Sequence, residues 1–176
     1  WLFMNNPWDV KPRSPAGNPN IDEIYVAVGR ALTCWENLEA GLGELFDAAV
    51  GGDGRAGFAA FAAVSSSSAR TELLSAALPR ALSEHGVLLG RASALVEQVG
   101  KFGARRNEIA HGRVFDLMEH GFYLCPTNIN PRKWTGAGAA KYQYRAEDIS
   151  AYASEFVRLH GECAILVADI RIARGL

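Results

Sequence analysis

The chain has 176 residues, 49% of them hydrophobic, which suits one domain with a sizeable core. Its 18 Lys and Arg against 19 Asp and Glu give a net charge of -1, which excludes a surface coated in nucleic acid and leaves room for a local basic cleft. Cys34, Cys125 and Cys163 are far apart and form no C-x-x-C, so neither a disulfide framework nor a zinc knuckle is expected.

A reducing, cytoplasmic setting fits that cysteine usage. The start "WLFMNNPWDV" lacks a positive leader and a long apolar segment, so no signal peptide is expected. No run of about 18 apolar residues occurs, and no membrane partner is expected.

Residues 1–20 carry Pro7, Pro12, Pro15 and Pro19 and read as an extended arm, with Trp1 and Trp8 as pins. A helix follows over 21–49. Asn20 is its expected N-cap, with Glu23 as capping-box partner. Ile21, Val28, Trp35, Leu42 and Ala49 recur at seven and interleave with Ile24, Ala31, Leu38 and Leu45, as in a bundle seam. "GGDG" at 51–54 breaks it.

"FAAFAA" reads as a short helix, and "SSSS" at 65–68 as the cap region of a helix over 67–84, kinked if it runs through Pro79. A long helix over 88–111 repeats Leu88, Leu95, Phe102 and Ile109 at seven, and Gly112 reads as its C′ glycine. "RVFDLMEHGFYLC" alternates and turns near Glu119–Gly121, a hairpin, and "KYQYR" reads as a third strand after a loop. A last helix over 147–173 has its seam on Ile149, Phe156, Cys163 and Ile170, with acidic Glu147 and Asp148 at its positive end. His160 and Cys163 are i,i+3 on that helix, but no third metal ligand accompanies them. The fold class expected is a mainly α, up-and-down bundle of four to five helices, a single domain over 21–176, with a β insertion at about 113–145.

"RNEIAHG", Arg106 to Gly112, concentrates the chemistry at the end of the third long helix. It resembles the signature of the HEPN superfamily: an Arg, a polar residue that is often Asn, a few more residues, then a His near the end of a bundle helix. The resemblance spans about residues 21–173 in architecture and seven residues in motif. Two other Arg-to-His spacings, Arg80 to His85 and Arg113 to His120, act as decoys: the first lacks Asn after Arg and the second straddles the hairpin.

The resemblance implies a metal-independent endoribonuclease that needs no cofactor. The ribose 2′-hydroxyl attacks the adjacent phosphorus and leaves a 2′,3′-cyclic phosphate. His111 takes the place of the family's catalytic His, Arg106 that of the phosphate-holding Arg, and Asn107 that of the polar residue. The proton carried by His titrates near neutrality, and the forked Arg charge suits a phosphate oxygen. One His can hardly both take and give a proton in one step, and the family implies a homodimer with facing motifs. The resemblance also implies RNA, and a partner protein or antitoxin, as partners, in a toxin–antitoxin or defence setting. Lys101, Arg105 and Arg113 are the expected substrate-binding cations around the motif. Where related toxins continue His-x-Tyr this chain has Arg113, so control through a modified Tyr is not expected.

Alternatives stay open on the same residues. Arg106 sits seven after Val99 on the core stripe and reads equally as a structural Arg, with Glu39 as candidate acid. His111 at a helix end complements the dipole. Trp134, Tyr142 and Tyr144, with Arg132, Lys133, Lys141 and Arg145, read as base-stacking and phosphate groups, or as a hairpin packed on the bundle. The competing functional class is a HEPN-fold dimer that binds protein, nucleotide or RNA and catalyses nothing.

Overall fold

The computed structural model describes residues 7–9, 16–52, 55–126 and 143–176. Its elements in chain order are α1 (Ile21–Val50), α2 (Ala56–Ala62), α3 (Ser67–Ala81), α4 (Gly86–His111), β1 (Gly112–Asp116), β2 (Phe122–Pro126) and α5 (Ala146–Arg174), with a 3-10 turn at Met118–His120 between the strands. This is a mainly helical bundle with a small antiparallel hairpin between the last two long helices, the fold class that the periodicities imply. Among the described residues, no helix is long and apolar enough to cross a membrane.

The chain divides into two compact units, Trp1–Thr33 with Ala104–Glu155, and Cys34–Gly103 with Phe156–Leu176. In the second unit the α1 seam continues as Trp35, Leu38, Leu42 and Leu45, all buried with Leu95, Phe102, Phe156, Cys163 and Ile170. Phe156 takes the edge of Trp35 at 5.0 Å and of Phe102 at 6.0 Å between ring centroids, the T-shaped geometry that ring quadrupoles favour. Glu39 interrupts this apolar face and is nevertheless buried. Its carboxylate accepts from Arg70 Nη1 at 2.6 Å, Ser67 Oγ at 2.6 Å and Trp35 Nε1 at 3.1 Å. That set ties α1 to the start of α3, so the acid considered for Arg106 is committed to Arg70.

In the first unit, Ile24 and Ala31 of α1, Ile109 of α4, Tyr123 and Leu124 of β2, and Ile149 and Tyr152 of α5 are buried. β1 pairs with β2 in antiparallel register, Val114 opposite Leu124 and Phe115 opposite Tyr123. The other edge of β2 is filled from two distant places. Phe122 exchanges both backbone hydrogen bonds with Asn18, and Leu124 exchanges both with Tyr144. Of the expected third strand, the described part is therefore one bridge at Tyr144, and the end of the N-terminal arm lies alongside it on the same edge. Residues 127–142, including Arg132, Lys133, Trp134, Lys141 and Tyr142, lie outside the described residues.

Two local readings change. Gly112 has no positive φ and does not act as a C′ glycine; the chain passes directly from α4 into β1. Its lack of a side chain serves packing instead, since a Cβ there would stand 2.8 Å from Leu124 Cδ1 and 2.9 Å from the Glu108 carbonyl oxygen. Asn20 does cap α1, its Oδ1 accepting from the Asp22 amide at 2.9 Å, but Glu23 does not close a box with it. Glu23 accepts from Asn18 Nδ2 at 2.6 Å instead.

Candidate functional site

The motif occupies the last turns of α4. Ile109 is fully buried there and fixes the helix's rotation, so the polar residues on either side of it are divided between two faces. Arg105 and Glu108, i,i+3, turn toward the β insertion. Arg105 Nη1 stands 3.0 Å from Glu108 Oε2 and donates to the Tyr144 hydroxyl at 3.2 Å. Tyr144 in turn donates to the Glu108 carboxylate. Its ring is 2% exposed and meets Tyr152 edge-on at 6.0 Å. Burial, then the hydrogen bond to Glu108, pushes the Tyr144 phenol far above its ordinary value. Tyr152 is pushed up to about 12, chiefly by burial. Tyr144 is therefore a core group and its face is closed to base stacking, while Arg145, also in the basic run, pairs with Glu147 at 3.0 Å.

Asn107 and His111 lie on the other side of Ile109, exposed and one turn apart. Arg106 and His111 are about 140° apart around the axis, too far for their Cβ atoms to face one site. The Arg106 side chain reaches round: its Nη1 donates to Asn107 Oδ1 at 3.2 Å. A permanently charged guanidinium is thus set against the amide one turn before His111, at the exposed C-terminal end of α4. Such a group suits a phosphate oxygen, and a neighbouring imidazole suits proton transfer.

The three flanking cations differ in placement. Arg105 is held in the Tyr144–Glu108 cluster with its side chain 15% exposed. Lys101 pairs with Glu97 at 2.6 Å, i,i+4, and its hydrogen bond, then its charge, lowers the Glu97 pKa. Arg113, on β1, is exposed and lies over the Phe115 ring at 5.9 Å from its centroid. The structure thus places Arg106, Asn107 and His111 at one helix end, turns Arg105 inward, and gives Lys101 an acidic partner.

Asn18 is the residue that sequence reading missed. Besides its two backbone bonds to Phe122 it accepts from the Ala146 amide at 2.8 Å, capping the start of α5. Asp148 accepts from the Arg145 amide at 3.0 Å and closes the same helix end. The only local signal was an Asn in a Pro-rich run. Among the described residues, no group of three or more His, Cys, Asp or Glu could hold a metal ion. No family model, no curated protein and no solved structure matches the chain.

Proposed function

We propose that the chain is a HEPN-like, metal-independent endoribonuclease. The observation that carries the reading is the hydrogen bond from Arg106 to Asn107, which brings the guanidinium onto the exposed turn that bears His111. In this reading Arg106 stabilises the negative charge that builds on phosphorus, with Asn107 holding its side chain in place. The 2′-hydroxyl loses its proton to a base as its oxygen bonds to phosphorus. The bond to the 5′-oxygen breaks, and that oxygen takes a proton from an acid. His111 fills one of the two proton roles and His111 of a second copy the other, in a homodimer.

The test is folded protein with a structured RNA pool in chelator. Cutting that leaves 2′,3′-cyclic phosphate ends is expected, falling about 10²–10⁴-fold in His111→Ala and unchanged in Arg80→Ala or His85→Ala. Absence of cutting, or cutting that His111→Ala does not change, would overturn the proposal.

A second reading is a non-catalytic binding module. It is favoured by the use of Arg105 and Glu108, two charged groups of the same stretch, to hold Tyr144. Arg106→Ala separates the two: it abolishes cutting with little change in melting temperature if the motif acts on RNA, and lowers the melting temperature if its role is structural.

A further inference from the structure

β1 leaves the motif helix with no linker, so the residues after His111 run straight out along a strand. Among the described residues β1 pairs with β2 alone, which makes it the edge of the hairpin. Strand alternation puts Arg113 and Phe115 on the same face. Their cross-strand partners Cys125 and Tyr123 are buried, whereas Arg113 is exposed and Phe115 is 39% exposed. Phe115 thus stands at the rim of the packed face with part of its ring in water. The Arg113 guanidinium lies over that ring at 5.9 Å from its centroid, the cation–π placement.

The hairpin tip adds an independent observation. Met118 has a φ of 57°, in the left-handed region that costs a residue with a Cβ and costs glycine nothing. The turn holds it there: its amide donates to Asp116 Oδ1 at 2.9 Å, and its carbonyl accepts from the Gly121 amide at 3.1 Å. Yet its side chain is 83% exposed, so packing within the chain returns little for that strain. Local strain joined to an exposed apolar side chain marks a contact outside the chain.

The residue types decide which contact. A protein pocket suits Phe115 and Met118, but it would bury the Arg113 charge over the ring, and a buried charge needs an anion. A single RNA strand suits all three. A base stacks on an aromatic ring or a guanidinium plane, and the neighbouring phosphate takes the forked edge of the Arg. The order along the chain agrees. Phe115 lies roughly 10 Å beyond the helix end, so a strand whose scissile phosphate meets Arg106 and His111 passes β1 with its next nucleotides.

We infer that Phe115, with Arg113 over its ring, is a base-stacking subsite that Met118 extends at the hairpin tip, and that it grips the bases beside the cut by their faces. The inference takes its direction from the ribonuclease reading and deepens it, because the motif in that reading meets phosphate and ribose and makes no contact with a base.

Fluorescence anisotropy in chelator tests it, in a His111→Ala background so that the probe stays whole. The probes are a single-stranded oligoadenylate and an abasic oligomer of the same length. Phe115→Leu keeps an apolar side chain beside Tyr123 and removes the ring. It weakens oligoadenylate binding about tenfold and leaves the abasic oligomer unchanged. The salt dependence stays the same, because no charge is lost. Phe115→Trp retains the affinity. Met118→Gly raises the melting temperature, since the strain is gone, and weakens oligoadenylate binding about threefold. Oligoadenylate affinity that Phe115→Leu leaves unchanged overturns the inference and assigns the face to a protein. Equal losses on both probes reveal a phosphate or folding effect and overturn it as well. A Met118→Gly variant that binds as tightly as its parent removes Met118 from the subsite. Cutting is read separately, with His111 in place. Cutting without a Phe115 effect on binding overturns the stacking subsite alone; stacking through Phe115 without any cutting overturns the ribonuclease reading alone.

Discussion

Tyr144 joins two charged groups of α4 through one oxygen, donating to Glu108 and accepting from Arg105. From sequence it belonged equally to a base-stacking patch or to a packed hairpin, because its surroundings depend on pairing with Leu124, twenty positions earlier along the chain. Arg105 illustrates the same limit. Its residue type marked it as a phosphate contact, whereas the rotation of α4, fixed by Ile109, turns it inward. The polar cluster was legible, but which members face out is decided by burial on both sides of the helix. The inward set makes a pH prediction. An unfolded tyrosine titrates near 10, whereas Tyr152 in the fold titrates near 12 and Tyr144 higher still. Between those values the unfolded chain has released protons that the fold retains, so stability falls as pH rises. The contribution is complete below about pH 10 and declines from there through about 12 for Tyr152, with Tyr144 extending the loss to higher pH. The urea midpoint followed from pH 9 to 11 should drop, and should drop less steeply when both residues are replaced by Phe. Equal slopes would show that these phenols do not carry the effect.

Helix limits were legible to within a few residues because caps and breakers act locally. Asn20, the "GGDG" run and the serine run all sit at helix ends. The serines show where local reading stops. Ser66 is the N-cap of α3, its oxygen accepting from the Ala69 amide at 3.2 Å. Ser67 donates across to Glu39. Ser65 is exposed. Composition assigns all four serines to a cap region; only the backbone conformation separates them. Ser66→Ala should therefore cost about 1 kcal/mol of stability, and Ser65→Ala less than about 0.5 kcal/mol, in urea melts. Equal effects would place the cap elsewhere. α3 does run through Pro79 and ends two residues after it, at Ala81, short of the expected 84, so the missing N–H falls in the last turn. Gly112 was read correctly as a position needing glycine and wrongly as to why. The contact with Leu124 and the Glu108 carbonyl arises only when β2 folds back on the helix end.

At the scale of the whole molecule, the periodicity of seven in three long helices and the alternation after residue 112 were enough to give a mainly helical bundle with a hairpin between its last two long helices. What stitches the hairpin in place was not legible. Asn18 and Tyr144 reach the same strand edge from opposite ends of the first unit, and pairing over such separations leaves no periodic trace. Charge is the other whole-molecule property, and it bounds how RNA would be held. With a net charge of -1 there is no general attraction to a polyanion, so any grip comes from a few local cations. In the proposed site Arg106 and Arg113 supply the phosphate contacts, with Arg105 turned toward Tyr144 and Lys101 beside Glu97. Two contacts to a single strand predict that log K falls with log salt at a slope near -1.4, about sevenfold weaker binding from 50 to 200 mM. Fluorescence anisotropy with a short single-stranded RNA measures this directly. Arg113→Ala should lessen the slope by about 0.7. A wild-type slope steeper than about -3 would require more phosphate contacts than this helix end supplies and would move the RNA grip to another basic segment, with Arg132, Lys133 and Lys141 the first to replace.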